Sequence, residues 1–186
     1  MPRQGPLIVA INHLSLLDPI LVGAALPRPV HFMAKEELFR YPLLGLLLRW
    51  VRAFPVRRGE ADREAIASGL RILQAGGVVG IFPEGTRSLD GRLLSLQGGT
   101  AFLALKSGAP IVPVAISGTE RAMPKGAWWP RRVAVRIQVG TPIQRLPDNG
   151  AAFKDRLQEL SRSLAQELAR LLNQPFSGEP GSSSAI

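Results

Sequence analysis

The chain has 186 residues, and 23 Lys+Arg against 14 Asp+Glu give it a formal charge of +9. Its 46% hydrophobic and 20% charged content suits one globular domain with a sizeable core and excludes disorder of the whole chain. With no cysteine, disulfides, thiolate zinc sites, iron–sulfur clusters and cysteine nucleophiles are excluded, while the positive charge calls for an anionic partner: nucleic acid, a lipid surface or a phosphorylated small molecule.

A first strand is predicted over residues 7–11. Before it, Arg3 is followed by Gly5 and Pro6, and Asn12 and His13 come soon after. That pattern breaks the apolar run of a signal peptide, so a cytoplasmic location is expected. Asp18 fits a helix N-cap and Pro19 a first helical position, for a helix over 19–25. A second strand is expected at 30–34, with His31 inside it. The longest apolar stretch, 41–48, ends at Arg49 and falls short of the roughly 20 residues of a spanning helix. Further strands are predicted at 53–56, 78–82 and 111–116. A helix over 61–74 carries Ile66, Leu70 and Leu73 on one stripe and stops at Gly76 and Gly77. In a strand at 133–139, Val133, Val135, Ile137 and Val139 alternate with polar or small residues, which predicts one buried face. Phe153, Leu157, Leu160, Leu164, Leu168 and Leu171 repeat at helical spacing over 151–172, an amphipathic cap for the sheet. The alternation of strands and helices reads as an α/β domain over 1–173, a mainly parallel mixed sheet flanked by helices. Residues 174–186 read as a disordered tail.

Chemistry concentrates after two strands, where open α/β sheets collect ligands. Segment NHLSLLDP brings His13 and Asp18 within reach of each other; a carboxylate accepting the Nδ1 proton leaves Nε2 free as a base. The same spacing also suits a turn histidine and a helix cap. Segment GIFPEGTRS holds Glu84, Gly85, Thr86 and Arg87 in a tight loop. Gly80 and Gly85 have P-loop separation, but the lysine is missing and Gly80 lies inside the strand, so nucleotide triphosphate binding is not expected. Gly85 lets backbone approach an anion, Thr86 donates a hydroxyl, and Arg87 grips a phosphate bidentately, with Glu84 aligning that arginine or its ligand. A solvent-exposed turn with a surface ion pair is the alternative. Neither histidine has metal-ligand spacing and no serine sits in a nucleophile elbow.

Four ordered blocks resemble the glycerolipid acyltransferase family: NHLSLLD (12–18), AFPVRRG (53–59), FPEGTRS (82–88) and IVPVAISG (111–118). MAKEELFRYPLLG (33–45) is similar to the family's connecting segment. The resemblance implies transfer of a fatty acyl group from acyl-CoA or acyl-acyl carrier protein to the free hydroxyl of 1-acylglycerol-3-phosphate, with no bound cofactor and no metal. His13 would act as base and Asp18 would stabilise the imidazolium. Arg87, with Glu84, Gly85 and Thr86, would hold the acceptor phosphate, and Lys35 and Arg57 are secondary phosphate-binding candidates by similarity. Another acceptor, such as glycerol-3-phosphate, a lyso-aminolipid or another lysophospholipid, is the runner-up.

Family members usually carry an N-terminal hydrophobic element before the first block, whereas this sequence starts almost at the strand. Peripheral attachment to the cytoplasmic membrane is therefore expected. Trp128, Trp129, Arg131 and Arg132 lie in the segment 121–145, which has no acidic residue and suits the headgroup level of an anionic surface. The leucine-rich segment 42–50 is a second candidate, and a buried helix or core tryptophans would explain either. A non-catalytic basic module for nucleic acid accounts for the charge but not for two chemistry-bearing loops beside one crevice, so no nucleic-acid partner is expected.

Overall fold

The computed structural model describes residues 1–56, 61–144 and 150–175. Strands β1 (Leu7–Ile11), β2 (Val30–Lys35), β3 (Phe54–Val56), β4 (Val78–Ile81), β5 (Ile111–Ser117) and β6 (Arg136–Val139) form one sheet in the order β3-β2-β4-β1-β5-β6. The first five run parallel, and β6 joins β5 antiparallel. The helices are α1 (Asp18–Ala25), α2 (Pro42–Trp50), α3 (Ala61–Gln74), α4 (Gly99–Ser107), α5 (Thr119–Ala122) and α6 (Phe153–Leu172), with a short 3₁₀ turn at Glu36–Arg40. This is the expected α/β class with a mainly parallel mixed sheet.

β1 lies at the centre, and all five of its residues are fully buried. A parallel strand covered on both faces must be apolar throughout, because successive side chains point to opposite layers. Ile8 and Ala10 pack with Leu103, Leu160, Leu164 and Leu168 from α4 and α6. Leu7, Val9 and Ile11 pack on the other face with Val22 of α1 and with Phe32. Gly80 sits inside β4, as the sequence indicated, and its role is steric: a Cβ there would come 2.7 Å from both the Phe32 ring and Val30 Cγ1. The glycine makes room for the aromatic.

Four expectations change. β6 begins at Arg136 rather than at 133, because its partner strand ends at Ser117 and the chain turns at Gly118 (φ +95) into α5, leaving residues before 136 without a ladder. Val139 is exposed, so the alternation does not bury one full face. Asp18 does not cap α1; the N-cap is Leu17, so Asp18 takes the first helical position and Pro19 the second, and the Asp18 carboxylate turns back to the preceding loop. Gln174, the first residue of the expected tail, is anchored: its amide accepts from Leu93 N at 2.8 Å and donates to the Gly91 carbonyl at 2.7 Å. Residues 176–186 lie outside the described residues. So do Arg57 and the side chain of Lys35.

Candidate active site

The β1 and β4 ends deliver their loops to the same place because the strands are parallel neighbours in register. Asn12, the first residue beyond β1, is buried and replaces a strand partner with its side chain. Its amide donates to the Ile116 carbonyl at 3.0 Å and accepts from Ile116 N at 2.7 Å, tying the loop start to β5. His13 follows, held at both main-chain groups: its N–H donates to Glu84 Oε1 at 2.6 Å, and its carbonyl accepts from Ser88 N at 2.8 Å.

The imidazole of His13 is fixed twice. Nδ1 lies 2.9 Å from Asp18 Oδ2, and the ring stacks on Phe82 with centroids 4.1 Å apart. Asp18 is fully buried, and the same oxygen also accepts from Leu14 N at 2.6 Å and Ser15 N at 2.7 Å. A carboxylate can only accept, so the proton sits on Nδ1 and Nε2 is the basic nitrogen. Among the described residues Nε2 has no protein partner, and the His13 side chain keeps 18% of its surface open. A base held by a buried anion beside an open edge can take a proton from a bound hydroxyl and stabilise the resulting imidazolium.

Glu84 takes a different part from the one its spacing suggests. It is buried, it makes no ion pair with Arg87 among the described residues, and its two oxygens bridge His13 N and, at 2.9 Å, Leu94 N. Burial pushes its carboxyl up to about 7, against the pull of those two donors and helped by the Asp18 charge nearby. Glu84 therefore clasps the two loops together. Gly85 (φ +67) and Thr86 are exposed beyond it, and Gly85 turns the chain in a left-handed conformation that a side chain would strain. Arg87 faces a cleft of about 270 Å³ whose other walls include Leu16, Met123 and Trp128.

The opposite wall is the loop 123–130. Its neck is closed by Arg131 N donating to the Ala122 carbonyl at 2.7 Å, and Ser15 Oγ donates to the Met123 carbonyl at 3.0 Å. Trp128 and Trp129 are 91% and 83% exposed, which removes the reading of core tryptophans. Lys125, Arg131 and Arg132 are exposed beside them. In α2, Leu46 is exposed and Leu48 buried. No helix among the described residues is long and apolar enough to cross a membrane, and no three His, Asp or Glu there form a metal-binding group.

A family model described as Acyltransferase matches residues 1–117, which include His13, Asp18 and the Arg87 loop. The chain belongs to the acyltransferase family. Over 174 residues it is 30% identical to the 1-acyl-sn-glycerol-3-phosphate acyltransferase of Bacillus subtilis (strain 168), covering 93% of this chain and 84% of that protein. A chloroplastic protein of the same name from Arabidopsis thaliana is 33% identical over 124 residues, of which this chain spans about a third of the length, 35%. Among solved structures, the LPA acyltransferase PlsC from Thermotoga maritima is similar with a TM-score of 0.68 and 31% identity, over 92% of this chain and 67% of that one. This acyltransferase thus uses an acyl donor, and its two ordered loops fall within the matched region.

Sequence reasoning brought His13 and Asp18 together as found. It missed the structural partners: Asn12 and Glu84 act on backbone groups, and Phe82 acts on the imidazole face. An asparagine directly after the continuous apolar run LIVAI was the available signal for Asn12.

Proposed function

We propose that this acyltransferase moves a fatty acyl group from acyl-CoA or acyl-acyl carrier protein to the free hydroxyl of 1-acylglycerol-3-phosphate, forming phosphatidic acid. The observation that carries the reading is the ordered His13–Asp18 pair with Arg87 on the adjoining loop; the names of the relatives support the acceptor. Nε2 of His13 removes the hydroxyl proton as the oxygen attacks the thioester carbonyl. The carbon–sulfur bond breaks in the collapse of the tetrahedral intermediate, and the imidazolium returns its proton to the leaving thiolate. Asp18 stabilises the imidazolium in between. Arg87 holds the acceptor phosphate, with Gly85 and Thr86 beside it and Lys35 and Arg57 as further cations for the same charge. Fixing the hydroxyl beside Nε2 makes the attack effectively unimolecular.

The direct test is incubation of the purified protein with lysophosphatidate and each acyl donor, following free thiol and phosphatidic acid by mass spectrometry; absence of both products with either donor would withdraw the reading. Arg87→Lys keeps the charge but loses the bidentate fork, and should raise the acceptor KM about tenfold with the donor KM unchanged.

We also infer peripheral attachment to the cytoplasmic face of a membrane through Trp128, Trp129, Arg131 and Arg132. Each basic side chain near an anionic surface is worth about 1 kcal/mol and is screened by salt, while the indoles add a salt-resistant part. Co-sedimentation with anionic vesicles should therefore fall with rising salt and fall further in a Trp128→Ala, Trp129→Ala variant. Binding indifferent to lipid charge, salt and both indoles would discard this surface.

A further inference from the structure

Resting on the acceptor reading above, we infer that the cleft between Arg87 and Trp128 seats the first part of the acceptor's own acyl chain beside its phosphate, so that it selects a lysophospholipid over an acceptor without a chain. Arg87 is the only charged residue lining the cleft among those described; Leu16, Met123, Pro124 and Trp128 supply apolar walls. One cation at the edge of an apolar surface complements a phosphate joined to a hydrocarbon. A chainless phosphate ester would use the cation alone and leave the walls wet.

The cleft lies next to the chemistry. Leu16 belongs to the His13–Asp18 loop, and Ser88, the residue after Arg87, donates to the His13 carbonyl. Its outer wall is fixed to that loop by the bond from Ser15 Oγ to the Met123 carbonyl, with Ala127 N donating to the Pro124 carbonyl to shape the turn. The cleft holds about 270 Å³. That is room for a phosphate and the carbons nearest it, with the rest of a long chain passing out along Trp128, whose ring the fold leaves 91% exposed. Trp129 does not line the cleft.

The test uses a series of lysophosphatidates with short saturated chains that stay monomeric, lengthened one methylene at a time, in the absence of vesicles and detergent. In the wild type the acceptor KM should fall by up to about fourfold per added methylene, the value for full burial, until the cleft is filled. In Trp128→Ala, and independently in Leu16→Ser on the facing wall, that dependence should flatten, with melting temperatures confirming that both variants fold. A slope in the variants equal to that of the wild type would overturn the inference. A slope that follows the chain of the acyl donor instead would give the cleft to the donor and also overturn it. Failure of the wild type to acylate any member of the series would be recognisably different, since it would remove the acceptor reading itself and this inference with it.

Discussion

Replacing His13 by alanine is expected to lower kcat by about 10²- to 10⁴-fold while leaving the melting temperature near that of the wild type. In the proposed mechanism the side chain supplies the base, but the loop is held by the His13 main chain, whose bonds to Glu84 and Ser88 survive the substitution. Asp18→Asn should behave differently. The two backbone donors Leu14 N and Ser15 N keep an amide oxygen in the place of Oδ2, so Nδ1 still has an acceptor and the tautomer is kept. What is lost is the negative charge proposed to stabilise the imidazolium, and an amide NH2 is buried where the other oxygen was. A smaller fall in kcat with a clear loss of stability is therefore expected. Steady-state kinetics with thermal denaturation of both variants checks this; undiminished turnover in a folded His13→Ala protein would remove the base from this site.

The second large effect concerns Glu84 and is one of stability against pH. Its folded-state value of about 7 lies above the ordinary 4.5, so the folded protein keeps a proton that the unfolded chain releases. The contribution to stability is complete below the unfolded value and is lost as pH rises through the folded one, by about 3 kcal/mol, after which it levels off. Asp90 and Glu167, held below their ordinary 3.8 and 4.5 by hydrogen bonds from Arg92 N and the Arg170 side chain respectively, act in the opposite sense and only at more acid pH. Urea unfolding from pH 4.5 to beyond 7 should show the decline in wild type. Glu84→Gln should remove it, at a constant cost of about 1–3 kcal/mol for turning an amide N–H toward a backbone donor. Parallel pH curves for the two proteins would exclude Glu84 as the source.

How much of this could be read in the sequence follows from the range of the interactions. β1, β4 and β5 were legible because buried parallel strands are continuous apolar runs. α4 was not: Thr100, Ala101, Leu103, Ala104 and Leu105 are all buried, so it has little polar face for a helical period to show. The start of β6 depended on where its neighbour turns away. At the site, His13 and Asp18 are five positions apart and their pairing is local. Glu84 instead meets His13 across 71 positions through a main-chain group that has no side-chain signature. The exposure of Trp128 and Trp129 likewise goes with the closed neck of their loop, a main-chain bond between Ala122 and Arg131 that leaves no side-chain signature.

That neck separates two kinds of change available to the molecule. Residues 123–130 leave and return through the bond between Arg131 N and the Ala122 carbonyl, forming an Ω-shaped excursion that contributes nothing to the sheet. The His13 loop is secured mainly by Asn12, Asp18 and Glu84, all outside the excursion, which meets it through the main-chain carbonyl of Met123 that accepts from Ser15 Oγ. On the proposal that the cleft seats the acceptor chain, the loop is a graftable module: exchanging it between homologues should carry acceptor preference along while the His13–Asp18 pair stays in place.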